Sequence, residues 1–554
     1  MQKHCKKCGR QYEITDDDLK FYDKISPVIN GRKYLIPPPA LCPDCRQQRR
    51  LAFRNEKNLY HRKCDLCGKE IISMYSPDKP YQVYCQSCFW SDKWSADSFA
   101  SEYNENISFF EQYHELQKKT PKPGLLSLNV ENSEYCNFVG DVKNSYLIFG
   151  PVYSEDCLYG SPYYSKDCID TLVIRDCELC YECTDCRKLY SALFCQDCTN
   201  CSDLIFCYDL QNCKECIGCS GLRNKEYHIF NKPYKKEEYS EHKKIIDLCN
   251  KTQIHEIKNN LSRLKLVTPR KYMQNKNVEN VNGDHVYNSK NTFHSFFADK
   301  CEDCSYCAQV VEMKDCHDCN YTEEDELCYE YLGMYTTKNT SFSIFCRHTF
   351  NVLYSDYLVN VNNSFGCSCL KNSEYSVLNK KYSKEEYEKL IIKIIGAMIK
   401  RGEWGEFPPI KYSLFNYNET VADEFFPLTK EEALNAGFSW KDEDSINYYQ
   451  GPKIEIPENI KDVNEDILKQ ILTCEKCSKN YRLVSKELEF YKKMNIPVPR
   501  KCFTCRNKAR VNLRNPRKLW ARTCFKCGAP IKTSYSPDRP ETVYCEDCYL
   551  KEVY

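Results

Sequence analysis

Four sets of paired Cys-x2-Cys motifs, two at each end of the chain, constrain this sequence more than any other feature. The inner N-terminal set is Cys64, Cys67, Cys85 and Cys88; the inner C-terminal set is Cys524, Cys527, Cys545 and Cys548. In both, 17 residues separate the half-sites, within the range of zinc-ribbon ligands. Both enclose one turn, YSPDKP at Tyr75–Pro80 and YSPDRP at Tyr535–Pro540. The outer sets are Cys5, Cys8, Cys42 and Cys45, and Cys474, Cys477, Cys502 and Cys505. Zn2+ takes four soft ligands in a tetrahedron, and two hairpin-borne Cys-x2-Cys knuckles supply them. The spacing, the Cys-Gly knuckles and the duplication predict four structural sites and four Zn2+ per chain. Accidental pairs of buried cysteines would not repeat in this way.

Length and charge bound the rest. The chain has 554 residues, enough for about three to five structural units. Forty cysteines would suggest a disulfide scaffold in a short secreted chain. Here the start, MQKHCKKC, has no apolar signal segment, and sixteen zinc thiolates suit a reducing compartment. A cytoplasmic protein is expected. Leu390–Ile399, the most apolar stretch, is too short to span a bilayer and contains Lys393, so no membrane contact is expected. Net charge is +1, but it is unevenly spread. Lys501–Lys526 holds nine bases and no acid, whereas Glu131–Phe230 holds sixteen acids and eight bases.

Between the zinc ends the cysteines change pattern. C-x2-C-x2-C triplets begin at Cys177, Cys195 and Cys213, a period of 18 residues, with a half-period of 9 at Cys168, Cys177, Cys186 and Cys195. Such self-similarity predicts stacked coils. Short Tyr, Phe, Leu and Ile runs bounded by Asn, Asp and Ser suit strands and turns. A β-solenoid is expected, one coil per 18 residues, with Cys180, Cys198 and Cys216 in one column and strands about 4.8 Å apart. Buried cysteine acts as a small apolar side chain. Asp176, Asp197 and Asn212 are expected at turns, where both residue types tolerate left-handed backbone. The competing possibility for the triplets is an iron–sulfur or redox site, although the x3-C-P ending of the bacterial ferredoxin run is absent.

A second copy runs from Asn277 to Asn379, and its end, CSCLKNSEY from Cys367, mirrors CSGLRNKEY from Cys219. A helix should follow, opened by a capping box at Ser383 and Glu386, with Tyr387, Leu390, Ile391, Ile394, Ile395 and Met398 on one face. It would cover an open solenoid edge. Glu419–Asp444 is a connector with a short helix capped by Thr429. The fold class is therefore mostly β with some α: two Cys-rich β-solenoids flanked by zinc modules. The segments are a double zinc module 1–95, a linker 96–130, solenoid 131–232, helical cover 233–272, solenoid 273–380, helix and connector 381–464, and a double zinc module 465–554.

The outer sets resemble the probable zinc-ribbon (treble-clef) family: C-x2-C, an aromatic, E-x-x-FY-x-x-K, then C-x2-C-R. Glu489, Phe490, Tyr491, Lys493, Cys502, Cys505 and Arg506 match at the C-terminal end; Phe21, Tyr22, Cys42, Cys45 and Arg46 match at the other, which carries an insertion around Ile29–Pro39. The resemblance covers some 35 to 45 residues at each end and implies zinc without a specific activity. The overall layout resembles large zinc-ribbon proteins of candidate-phyla bacteria, some labelled CaiB/BaiF CoA-transferases. No Gly-rich dinucleotide loop or CoA-transferase core supports that label here.

Each outer set runs into a basic stretch. Arg46, Arg50 and Arg54 align with Arg506, Arg510 and Arg514, and i, i+4, i+8 spacing would place each trio on one helical face. Such a row suits bidentate contacts to successive phosphates, and Tyr60 and Trp520 could stack on unpaired bases. The leading expectation is a non-enzymatic zinc protein contacting RNA or DNA through these arginines. The alternatives are a protein-interaction scaffold, whose arginines pair with the acidic solenoids of the same chain, and a cysteine-based metal or redox protein. No catalytic constellation stands out; His285, His294, His317 and His348 are expected as core or surface residues.

Overall fold

The computed structural model describes residues 1–442 and 454–553. Glu443 and Asp444, the end of the expected connector, and the rest of 443–453 lie outside the described residues. The chain is mostly β, with 33% strand and 25% helix. It divides into two compact units built from distant segments. Unit 1 comprises Met1–Leu125, Met273–Lys441 and Arg517–Leu519. Unit 2 comprises Leu126–Tyr272 with the described residues of 442–516 and 520–554. The N-terminal cysteine module thus shares a unit with the second Cys-rich segment, and the C-terminal one, apart from Arg517–Leu519, with the first.

Each Cys-rich segment is a ladder of short parallel strands whose partner lies twelve residues on. In the first, Arg187 pairs with Thr199 and Leu193 with Ile205; in the second, Arg347 pairs with Val359 and Leu353 with Phe365. Four paired columns run along the first ladder: Lys166–Glu178–Tyr190, Ile169–Tyr181–Leu193, Leu172–Thr184–Gln196 and Arg175–Arg187–Thr199. The expected 18-residue period is corrected to twelve. Cys180 and Cys216 do share a column, through Ala192 and Leu204. Cys198 does not; it precedes Thr199 as Cys186 precedes the paired Arg187. The physical reason is a three-residue rule inside each repeat. Along most of the ladder, every third residue has positive φ and the next points inward, so 9, 12 and 18 all superpose inward cysteines, and only the hydrogen-bond register chooses.

Asp176, Asp197 and Asn212 take left-handed backbone as expected, with φ of 55°, 56° and 52°. Residues without that tolerance do so too, Leu179 and Phe194 among them, against a cost of roughly 1–2 kcal/mol each. The ladder hydrogen bonds and the core hold them there. The first core is lined by Cys177, Cys180, Cys183, Cys186 and their successors, all buried. A thiol suits this narrow interior because it also donates weakly to carbonyls: Cys183 Sγ to Ala192 O at 3.4 Å, and Cys177 Sγ to Arg175 O at 3.2 Å. Outside, Asn200, Asn212 and Asn224 form an amide ladder at 2.7 and 3.0 Å.

One outward column alternates in charge. Glu279, Lys290, Glu302, Lys314, Glu326 and Lys338 are successive partners in the second ladder. Each lysine bridges the preceding glutamate, at 3.2, 3.3 and 2.9 Å. The first ladder repeats the pattern with Glu131, Lys143, Glu155, Lys166 and Glu178. Exposed pairs contribute little individually, but a slip of one repeat would place like charges together.

The helix after the second ladder spans Lys384–Arg401, with the Ser383–Glu386 capping box present and Tyr387, Ile391, Ile394, Ile395 and Met398 buried; Leu390 is only half-buried. Thr429 caps Lys430–Asn435. Among the described residues, no helix is long and apolar enough to cross a membrane.

Candidate metal centres and the arginine sites

All four cysteine sets converge. In each, the four sulfurs lie within 4.8 Å of one another, and among the described residues no cysteine is in a disulfide. The Cys8–Cys42, Cys67–Cys85, Cys477–Cys502 and Cys527–Cys545 sulfurs stand 3.8, 3.9, 3.6 and 3.7 Å apart. Four sulfurs about 2.3 Å from a common centre in a tetrahedron stand roughly 3.8 Å apart, so the sets fit a tetrahedral thiolate-bound ion.

Local backbone explains the convergence. Each first half-site is a tight knuckle in which the residue after the second cysteine turns left-handed: Gly9, Gly68 and Gly528 at φ 71°, 74° and 75°, and Ser478 at 61°. Gly68 N–H donates to Cys64 O, and Gly528 N–H to Cys524 O. Three second half-sites cap helices: Cys42 before Pro43–Leu51, Cys85 before Gln86–Phe89, and Cys502 before Phe503–Val511. A helix N-terminus favours a thiolate. Burial opposes ionisation of Cys524, but N–H donors of Cys545, Cys527 and Lys526 bring its thiol down to about 6. Cys474 reaches about 6 in the same way, with Cys502, Cys477 and Lys476 as donors.

The arginines are not arranged as a phosphate-facing row. Arg46, Arg50 and Arg510 are among the largest fully buried side chains, and each is spent on carboxylates of its own unit. Arg46 donates to Asp318 at 2.9 Å, and Arg50 meets Asp318 at 3.0 Å and Glu330 at 2.8 Å. Arg506 donates to Asp170 at 3.0 Å, and Arg510 bridges Asp170 at 3.0 Å and Glu182 at 3.1 Å. Arg54 donates to Glu56 at 2.6 Å. Arg514 binds Asp185 with two hydrogen bonds of 2.9 and 2.8 Å. The helices end at Leu51 and Val511, so Arg54 and Arg514 lie beyond them and no i+8 row forms. The arginines expected at phosphates thus stand on carboxylates, and a guanidinium buried there cannot reach a phosphate without opening its unit. Tyr60 is also engaged, donating to Glu419 at 2.5 Å.

The partners Asp170, Glu182, Asp185, Asp318 and Glu330 were not singled out in the sequence. The signal was two acids twelve residues apart in both ladders, Asp170–Glu182 and Asp318–Glu330. The aromatics Phe21, Tyr22 and Tyr491 complete these sites. Phe21 stacks on His317 with centroids 3.7 Å apart, and Tyr22 meets Tyr329 at 5.3 Å. Tyr491 packs edge-on against Tyr181 at 5.7 Å. Burial lowers the His317 value, with Asp18 opposing the shift. His285 and His294 stack on Phe297 and Tyr306, and His348 lies edge-on to Tyr335.

No protein-family model matches this chain, and no curated protein matches it. The coarse character rests on the geometry above: a Cys-rich, mostly β chain with four tetrads able to hold metal ions.

Proposed function

We propose that the chain is a non-enzymatic, cytoplasmic zinc-bound scaffold, in which two cysteine-cored β-solenoids are each clamped by a double zinc module. Zinc is the ion that best suits four all-thiolate tetrahedral sites without an open position, and it would supply structure, not chemistry. The observation that carries the proposal is the burial of the arginines against ladder carboxylates. It favours the protein-interaction scaffold over nucleic-acid binding, because the cations expected to meet phosphates are already neutralised.

The partner would be a protein. The first ladder offers an open trough of about 1100 Å3 along its stacking direction. Tyr153, Tyr164 and Tyr190 are exposed there, among Lys143, Lys166, Lys188 and Lys214 and the acids Asp141, Glu155, Asp176 and Glu178. Four bases against four acids give no net attraction for a polyanion. Against the redox alternative, the central thiols are buried in the ladder cores and donate to carbonyls, as structural cysteines do. Titration of the full chain with labelled single-stranded RNA and duplex DNA at low salt is the test. No salt-dependent binding is expected; tight binding with a steep log–log salt slope would restore the nucleic-acid account.

A further inference from the structure

We infer that the two docking surfaces are addressed, so that each ladder accepts its own zinc module and rejects the other. The determinants are two matched pairs: Asp185 with Pro516 in unit 2, and Gly333 with Glu56 in unit 1. The inference rests on the scaffold proposal, whose arginine clamps it deepens.

The two sites superpose in sequence. Asp170 and Glu182 correspond to Asp318 and Glu330, just as Cys219 corresponds to Cys367, and Asp185 falls on Gly333. In the modules, Arg514-Asn515-Pro516 falls on Arg54-Asn55-Glu56. The third arginine therefore finds its carboxylate in opposite places. Arg514 takes it from the ladder, through Asp185. Arg54 takes it from its own module, through Glu56, and lies over the Tyr321 ring at 4.3 Å. Space agrees with charge. A Cβ added at Gly333 would stand 2.8 Å from Arg54 Nη1 and 2.4 Å from Tyr321 O, so the guanidinium fills the place that a side chain would need. Asp185 holds left-handed backbone at φ 54°, a conformation aspartate tolerates.

Exchange of modules breaks both balances. On the first ladder, the N-terminal module would set Glu56 and Asp185 against one guanidinium, that of Arg54, while Arg49 would arrive without Glu406, its second carboxylate. On the second, the C-terminal module would bring Arg514 and Pro516 to Gly333, and the guanidinium would lose the carboxylate of the pair. Uncompensated buried charge is strongly unfavourable, and repulsion against a wrong partner is a general source of specificity. The same rule would hold between copies: a ladder of one chain would accept only the corresponding module of another.

The test uses the full chain and reads amide exchange in Phe503–Val511 and Pro43–Leu51, with metal content measured in parallel. Asp185→Gly should speed exchange in Phe503–Val511 by about a hundredfold, as expected for a broken buried ion pair. Adding Pro516→Glu should return it close to wild type. Glu56→Pro should do the same to Pro43–Leu51, and adding Gly333→Asp should not restore it, because its Cβ would meet Tyr321 O at 2.4 Å. Rescue in unit 2 is required; silent single variants in either unit, or an additive Asp185→Gly/Pro516→Glu double, overturn the inference. The loss and rescue pattern seen in protein that lacks four zinc ions would count against the zinc assignment and leave the address intact.

Discussion

In unit 1 the buried Asp318 and Glu330 meet three guanidinium groups, because Arg49 joins Arg46 and Arg50 by donating to Glu330 at 2.8 Å. In unit 2 the equivalent Asp170 and Glu182 meet two, Arg506 and Arg510, and Ala509 stands where Arg49 would be. The extra cation is balanced: Arg49 also donates to Glu406 at 3.0 Å. The comparison teaches that the acid pair is the common element of the ladders, while each module adjusts its own charges around it. It also explains why a basic row can exist on a near-neutral chain without a polyanionic partner.

The largest expected effect is loss of metal. Elemental analysis should find about four zinc ions per chain, and a value near zero with intact folding would remove the clamp. Cys64→Ser should unfold the inner module of unit 1, and Cys524→Ser that of unit 2, since metal binding is largely folding energy in such small units.

Next come the acid pairs. Asp318→Ala deprives both Arg46 and Arg50, and Asp170→Ala both Arg506 and Arg510. Each should cost about 3–5 kcal/mol in denaturant unfolding. Asp170→Ala should be the milder, because Arg506 keeps Glu487 at 3.5 Å and Arg510 keeps Glu182 at 3.1 Å, whereas Arg46, Arg49 and Arg50 are left to share Glu330. Equal or negligible losses would mean that the arginines are not held as described.

In the ladder cores smaller losses are expected. Cys198→Ala and its counterpart Cys346→Ala should each cost about 1 kcal/mol, as for removal of a small core group, with metal content unchanged. Loss of metal would instead point to bound chemistry within the ladder.

The smallest effect concerns pH. Asp325 in the second ladder stands where the first has Cys177, and it accepts from Thr337 N at 2.7 Å. Burial, then nearby Cys328, raises its carboxyl well above the ordinary value. A raised carboxyl contributes most below the unfolded value, about 3.9, and its contribution fades as pH rises through the folded one. Wild type should therefore lose stability above pH 4 relative to Asp325→Asn; parallel pH curves would contradict this.

Much of this was legible in the sequence. The tetrads follow from Cys spacing, the caps from Ser383–Glu386 and Thr429, and the left-handed turns from Asp176, Asp197 and Asn212. The twelve-residue register was not, because inward cysteines at every third position satisfy several periods equally. The Glu279–Lys338 alternation carries that register and shows it without cysteine. The pairing of the N-terminal module with the second ladder was also hidden, since it joins Arg50 to Glu330 across 280 residues and no local pattern encodes it.

That crosswise pairing is the central claim, and hydrogen exchange on the full-length Cys5→Ser variant tests it most directly. Disrupting the outer N-terminal site should release the arginine helix Pro43–Leu51 and reduce protection in the second ladder, 273–380, while the first, 126–232, keeps its own. Loss confined to residues 1–125, or falling instead on 126–232, would contradict the account.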